Sequence, residues 1–251
     1  MKISAFVTVH NEQARLPGCL EALHFADEVV VLLDRCTDQS KKIALQYGAV
    51  CVEGTWPLEG PRRQAAVDAC THSWLLEVDA DEHIPAELAI TLHDLVATTR
   101  YTHFPIGIDN YIGQRLVRYG WGAYFGVQSR VSLFKRGAKR WGDQRVHPKV
   151  TFEGQRGPCL RPGFAHYVDD NISDMIHRFD RYTEARARDL RDQGIPETLG
   201  HNVRRIFSRF FKCYIRGKGY KEGGYGLLVC LFAGLYPLIS YLKATLESED
   251  H

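Results

Sequence analysis

Four times before residue 80 the chain runs from a short apolar stretch into a helical or turn-rich one, and this alternation limits its fold more than any other feature. Ile3 to Val9 is an apolar run with β-branched residues, as a buried central strand requires. Glu12 to Leu23 follows, with Leu16, Leu20 and Leu23 on one helical face. Val29 to Leu33 is a second buried strand ending at Asp34. Arg35-Cys36-Thr37-Asp38 then turns into a helix through Ile43 and Tyr47, which stops at Gly48. Ala49 to Val52 is a short third strand. Gly60-Pro61 opens a helix carrying Arg62, Arg63 and Gln64, and Trp74 to Val78 is the fourth strand. The pattern predicts the α/β class: a Rossmann-like, mostly parallel sheet flanked by helices.

In such sheets ligands bind outside the carboxyl ends of the strands. The four predicted strand ends carry His10-Asn11-Glu12, Asp34, Glu53 and Asp79 with Asp81, so these polar groups are expected along one edge. The fourth is the richest. Trp74-Leu75-Leu76-Glu77-Val78 runs directly into Asp79-Ala80-Asp81-Glu82, two aspartates one residue apart on a stiff platform. Magnesium and manganese are commonly held by one or two carboxylates while substrate phosphates complete the shell. The competing reading makes Asp81 a cap for a helix starting near Pro85.

Downstream the alternation weakens. Pro85 to Leu95 reads as a helix; Phe104 to Phe134 is strand-like and rich in Gly, Tyr and Arg, a mixed or antiparallel extension. A polar helix spans Ile172 to Leu190, and Gly194 and Pro196 break the chain after it. Arg130, Lys135, Arg136 and Arg140 form a basic run that reads either as a solvated hairpin or as a seat for a phosphate-bearing ligand. The formal net charge is only +2, which argues against a general nucleic-acid binder. The first nine residues read as a strand and not as a signal peptide. Seven scattered cysteines without a C-x-x-C pair fit reduced thiols in a cytoplasmic protein better than a disulfide framework or a zinc site.

The tail differs in kind. No acidic residue occurs from Asn202 to Lys221. Val203, Ile206, Phe207, Phe210, Phe211, Tyr214 and Ile215 recur at helical spacing, with Arg204, Arg205, Arg209, Lys212 and Arg216 between them. A basic amphipathic helix with aromatic residues on its apolar face suits an anionic membrane surface better than nucleic acid. Gly226 to Leu242 carries no charge but is short for a span, and Pro237 interrupts it. The alternative is that both segments pack on the domain as ordinary helices.

The ordered set of motifs resembles family 2 glycosyltransferases of the GT-A fold, in the manner of bacterial lipopolysaccharide-core glucosyltransferases of the WaaE/KdtX type. It comprises Val7-Thr8-Val9-His10-Asn11-Glu12, Val30 to Asp38, Gly60 to Gln64, and Leu76 through Glu82. It continues with Ser132-Leu133-Phe134, Val146-His147, His166-Tyr167, Arg181-Tyr182-Thr183 and the glycine-spaced segment Gly219 to Gly226. The resemblance implies a GT-A domain over residues 1–200, with a nucleotide-sugar half (1–100) and an acceptor half (101–200), and a membrane-associating helical tail over 201–251. It implies a nucleotide-sugar donor, most often UDP-linked, Mg2+ or Mn2+ as cofactor, and transfer with inversion to a glycolipid or lipopolysaccharide-core acceptor, without a nucleic-acid partner, at the inner face of the plasma membrane. By position, Asp34 takes the base or ribose, with Thr8, His10 and Glu12 beside it. Arg63 lies near the phosphates, and Asp79 and Asp81 are the D-x-D pair, Asp81 in direct metal contact. Gln64 stands where the family usually has Asn, Pro148 where the subgroup often has an acidic residue, and the usual E-D base pair is absent. The base is therefore sought among Asp143, Glu153 and His147; Asp143 follows a glycine and His147 precedes a proline, so each also has a purely structural reading. Two other functions fit the same strand-helix plan. A sugar-nucleotide nucleotidyltransferase would begin with a Gly-rich loop where His10-Asn11-Glu12 stands. A non-catalytic membrane-surface protein has no need of an intact D-A-D-E.

Overall fold

The computed structural model describes residues 1–121, 127–142 and 149–247, in two compact units. The first comprises Met1–Ile108 and Ser129–His166, the second Asp109–Gln128 and Tyr167–His251. The long polar helix lies in the same unit as the tail.

In the first unit β1 (Ile3–Val9), α1 (Leu16–Ala22), β2 (Glu28–Asp34), α2 (Ser40–Gln46), β3 (Val50–Gly54), α3 (Glu59–Ala69) and β4 (Trp74–Val78) follow the predicted alternation. Then come β5 (Glu82–His83), α4 (Ala86–Thr98), β6 (His103–Ile112), β7 (Arg115–Leu116), β8 (Ser129–Lys135), β9 (Lys139–Trp141), β10 (Val150–Phe152) and β11 (Leu160–Asp169). The main sheet has the order β3-β2-β1-β4-β8-β6-β11-β5. Its first four strands are parallel. The expected antiparallel extension begins where β8 pairs with β4. Strands β9 and β10 form a separate two-stranded ribbon.

Strand residues alternate between faces, and the two faces meet different helices. Val7, Val9, Val31, Leu33, Trp74, Leu76 and Val78 pack with Leu16 and Leu20 of α1 and Leu88 and Leu92 of α4. Phe6, Val30, Leu32, Leu75 and Phe134 pack with Ala66 and Val67 of α3. The parallel strands are apolar on both faces because helices cover both.

The loops after β1 and β2 are tied together. Asn11 adopts a left-handed backbone (φ 58°), which suits Asn, and its Oδ1 accepts from the amides of Thr37 (2.8 Å) and Asp38 (3.3 Å). The Gln13 amide donates to Asp38 Oδ2 at 3.0 Å.

The second unit contains the outer ends of β6 and β11, β7, α5 (Ile172–Asp192), α6 (Leu199–Phe211) and α7 (Gly223–Leu246). Asn171 caps α5, accepting from the Asp174 amide at 3.0 Å, and buried Arg178 grips Asp169 with two bonds of 2.9 and 2.8 Å. Helix α6 packs closely on α7: a β-carbon at Gly234 would stand 2.9 Å from the Ile206 carbonyl oxygen. The glycine-spaced segment has the same cause, since a β-carbon at Gly226 would stand 1.9 Å from the Gly219 oxygen. Packing on α7 uses Ile206, Phe210 and Cys213. It leaves Leu199, Val203, Phe207, Phe211 and Ile215 as an exposed row at four-residue spacing, 40–62% accessible. Arg204, Lys212 and Arg216 form the exposed row alongside. Gly219–Leu246 is long and apolar enough to cross a membrane, with 44% of its most apolar window buried within the protein.

Candidate active site

Alternation puts Phe6 and Thr8 of β1, Leu32 and Asp34 of β2, and Leu75 and Glu77 of β4 on the α3 face, and carries on to Asp79 just beyond the strand. Because Phe6 pairs with Glu77 and Val7 with Val78, the continued register sets Thr8 beside Asp79. The same extension sets His10 beside Asp34, whose carbonyl oxygen lies 2.7 Å from His10 Nδ1. Glu12 starts the next turn: its carbonyl accepts from the Leu16 amide (2.9 Å) and its amide donates to Ser40 Oγ (3.0 Å).

Asp34 is fully buried. Its carboxylate accepts from Arg35 Nε (3.1 Å) and Nη2 (3.0 Å) and from the Trp56 amide (3.1 Å), with Arg62 Nη1 at 3.5 Å. Burial alone would raise its pKa; these donors and the two guanidinium charges hold it below the ordinary carboxylate value. Arg62, the neighbour of the expected Arg63, is therefore the α3 arginine at this strand end.

The D-A-D-E segment is a closed turn. The Glu82 amide donates to the Asp79 carbonyl (3.0 Å), and the Asp79 amide donates to Glu82 Oε2 (3.0 Å). The second bond explains the buried glutamate: it locks the turn. Arg130 of β8 binds both other acids, Asp79 through Nη1 and Glu82 through Nη2 at 2.6 Å. Burial would raise Asp79, but Arg130 and then Arg63 hold it well below the ordinary range. At Glu82 burial outweighs Arg130 and, with the Asp79 charge, pushes the pKa up to about 7.

Beneath the turn, buried Glu77 is held by Lys139 of β9 and Arg63 of α3. Arg63 also bonds Glu59 at 2.8 Å and stands 3.7 Å from Asp79. Arg63 is thus engaged with the acids under the strand end. Glu53 departs from the expected edge as well: its parity turns it to the other face, where it pairs with Lys41 at 2.6 Å.

Asp81 faces His166 of β11, whose Nε2 lies 3.2 Å from Oδ2, and Arg15 at 3.5 Å. Strand β5 brings them together, since Glu82 pairs with His166 across the β5–β11 ladder. Burial would lower the His166 pKa, but the Asp81 hydrogen bond and the surrounding carboxylates raise it. Among the described residues no three His, Cys, Asp or Glu side chains converge as a self-sufficient cation cage. Asp81 and His166 do fit a divalent ion of the kind that takes the rest of its shell from phosphates and water: a partly buried carboxylate faces an imidazole nitrogen across one gap.

Of the candidate bases, Asp143 and His147 lie outside the described residues. Glu153 is solvent-facing and pairs with Arg140 at 3.3 Å. The basic run does not converge either. Arg130 serves the D-A-D-E turn, Lys135 lies over Trp74 (5.4 Å), and Arg136 donates to the carbonyls of Val67 (2.8 Å) and Cys70 at the end of α3. Sequence reasoning missed the roles of Arg130 and His166. The His166-Tyr167 pair signalled the second only as part of a motif set.

The Glycosyl transferase family 2 model matches residues 4–120. An uncharacterized glycosyltransferase of Rickettsia felis is 35% identical over 264 residues, covering 99% of this chain and 92% of its own. The chain belongs to glycosyl transferase family 2. The lipopolysaccharide core biosynthesis glycosyltransferase LpsC of Rhizobium meliloti is 22% identical to this transferase, over 97% of this chain and 92% of its own. Among solved structures, glucosyl-3-phosphoglycerate synthase of Mycobacterium tuberculosis with Mn2+ and UDP-glucose aligns with a TM-score of 0.37 and 20% identity. That alignment covers 44% of each chain and supports no further argument. The strand-end acids described above thus belong to a glycosyltransferase, an assignment that displaces the nucleotidyltransferase and non-catalytic readings.

Proposed function

We propose that this transferase moves a sugar from a UDP-linked donor to a glycolipid acceptor of the lipopolysaccharide-core class, with inversion and with Mg2+ or Mn2+ bound, at an anionic membrane surface. The observation that carries the reading is the position of Asp81: a partly buried carboxylate just beyond β4, facing His166 at 3.2 Å, on a turn that Glu82 and Arg130 lock. Asp81 and His166 would hold the ion. When bound, the ion neutralises charge on the departing diphosphate. The first hundred residues form the donor half. Thr8 and Asp34 stand on the same face as that diphosphate seat, Asp34 fixing the polar loop that meets the nucleoside. A base must accept the acceptor hydroxyl proton. Asp143 is the first candidate and His147 the second, and Glu153, paired with Arg140 in solvent, is the least suited.

The acceptor class rests on the relatives and on the tail. The row Leu199, Val203, Phe207, Phe211 and Ile215, flanked by Arg204, Lys212 and Arg216, has the form of a helix lying in a bilayer interface. An acceptor embedded in the inner leaflet of the plasma membrane favours an enzyme resting on that leaflet. All seven cysteines are free, as a cytoplasmic location predicts.

Asp81→Asn tests the chemistry. It keeps the side-chain volume and should leave folding intact while transfer from UDP-sugar falls at least about a hundredfold. Calorimetry should show UDP binding to the native protein with Mn2+ and not with chelator. Undiminished transfer by the variant would reject the reading.

A further inference from the structure

Resting on the membrane reading above, we infer that the lipid-facing surface has a second part besides the α6 row: the turn that joins α6 to α7 and the loop that follows β7 together form a cationic seat for the phosphate groups of anionic lipid headgroups. Arg118, Lys218 and Lys221 are the side chains that meet those phosphates.

Three observations within the second unit carry this. The first is a clamp. Glu222, just before α7, is 7% exposed, and its Oε1 accepts from the amides of Arg118 (2.8 Å) and Tyr119 (3.1 Å). Its carbonyl oxygen accepts from Arg115 Nη2 at 3.0 Å. The Gly120 amide donates to the Gly217 carbonyl at 2.9 Å, and a β-carbon at Gly120 would stand 3.1 Å from Gly219 Cα. A loop 104 residues upstream of Glu222 is thereby fixed on the turn. The second is uncompensated charge. Glu222 is the one acid between Glu197 and Glu247, and its buried carboxylate is spent on two amides and on Arg115 at 3.7 Å. Arg118, Lys212, Arg216, Lys218 and Lys221 are exposed and, among the described residues, form no ion pair. Elsewhere in the same unit Arg178, Arg186, Arg205 and Lys243 all do. Cations gathered without counter-charge repel one another, so an anionic partner relieves a cost as well as adding an attraction. The third is what lies beside the charges. The apolar row of α6 leads through Phe211 to Ile215, 58% and 52% exposed, and Tyr220 in the turn is 49% exposed. Lys221 lies over the Tyr119 ring at 5.5 Å. Aromatic rings, aliphatic side chains and cations side by side suit the level of a bilayer where phosphates overlie acyl chains. A soluble polyanion would gain nothing from Phe211 and Ile215. Two contacts from separate segments would also fix how this unit sits on lipid, where a single helix could roll about its axis.

The experiment measures partitioning of full-length protein onto vesicles of phosphatidylcholine and phosphatidylglycerol in equal parts, and onto phosphatidylcholine alone, with unfolding midpoints recorded for each variant. A basic residue at an anionic surface contributes about fivefold to partitioning. Arg118→Gln should therefore weaken binding to the mixed vesicles about fivefold, and Arg118→Gln with Lys218→Gln about thirtyfold. On phosphatidylcholine alone both should match native protein within about twofold. Lys42→Gln removes the same charge from α2 in the first unit and should change neither value. Native affinity in the folded double variant would overturn the inference while leaving the membrane reading in place. An equal loss in Lys42→Gln would do the same, because only net charge would then be felt. So would release of native protein by inorganic phosphate at constant ionic strength, the mark of a small-anion site. Should the double variant not fold, native protein still decides: mixed vesicles should slow the modification of Arg118 by phenylglyoxal, read by mass spectrometry, and an unchanged rate would refute the seat. Native protein that binds neither vesicle would remove the membrane reading along with it.

Discussion

Glu77 offers the sharpest test of the ion network beneath the site. It is 3% exposed and lies between Lys139, 6% exposed, and Arg63. Glu77→Gln keeps the shape and one acceptor oxygen but removes the charge, leaving two buried cations facing a neutral group. Breaking a buried pair from one side costs about 3–5 kcal/mol, most of it the penalty of the charge left behind. An independent ceiling exists, because Lys139 can shed its proton. Burial already lowers its pKa even with Glu77 present. Deprotonating a lysine of ordinary pKa about 10.4 costs about 4–5 kcal/mol at pH 7 and about 2 kcal/mol at pH 9. The loss at pH 7 should therefore be about 3–4 kcal/mol, read by urea unfolding followed through tryptophan fluorescence.

The sign of the pH dependence checks the mechanism. In the variant the folded-state pKa of Lys139 falls further below its unfolded value, so the unfolded chain binds more protons. The variant's stability then rises with pH between those two values, and its deficit against the native protein shrinks toward pH 9. A change under about 1 kcal/mol at pH 7, or a deficit that widens as pH rises, would refute the account. Replacing both partners, with Glu77→Leu and Lys139→Met, should recover most of the loss, because a buried pair is weak evidence for net stability.

Other outcomes follow from the same geometry. Glu82 is raised to about 7, so the folded state keeps a proton that the unfolded chain releases near pH 4.5, and Glu82 costs stability progressively as pH rises through that window. Glu82→Gln, which retains an acceptor for the Asp79 amide, should therefore gain on the native protein by up to about 3 kcal/mol between pH 5 and 7.5, measured in chelator; a gap that narrows would contradict the burial argument. Phe207→Ser with Phe211→Ser should release the enzyme from vesicles containing phosphatidylglycerol without moving its unfolding midpoint by more than a few degrees, since both rings are exposed. Pelleting at native levels would show that this row does not meet lipid.

The sequence made some of this legible and hid the rest for identifiable reasons. The parallel strands read clearly because burial on both faces leaves Ile3–Val9 and Val29–Leu33 almost wholly apolar. Asp34 and the D-A-D-E stood out as abrupt polar ends to such runs. Parity was harder: Glu53 lies one residue off the alternation that turns Asp34 toward α3, and a five-residue strand gives little warning of which face its last acid takes. Long-range partners were invisible. Nothing local to Arg130 says that it faces Asp79, because that contact follows from an antiparallel register set fifty residues away. In the tail, helical spacing found the apolar residues of α6 but not that they form two rows. Ile206 and Phe210 meet α7, and Val203, Phe207 and Phe211 are left outside.

Charge pairing at the strand ends argues independently for a cation brought in from solution. Asp34 is matched by Arg35 and Arg62, Glu77 by Lys139 and Arg63, and Asp79 with Glu82 by Arg130. Arg63, Lys139 and Arg130 already bond carboxylates, and in a dehydrated site a pair is not broken without leaving a costly charge behind, whereas Arg62 keeps a buried Nε without a partner. A nucleoside diphosphate arriving here brings further negative charge and finds Arg63, Lys139 and Arg130 committed. Asp81 then adds to the repulsion unless a mobile dication sits between it and the phosphates. On this reasoning the locked ion network supports the proposed use of a metal: Asp81, between Arg15 and His166, would share an external cation with the phosphates. A diphosphate that bound equally well in chelator would show that one of these internal cations detaches to meet it.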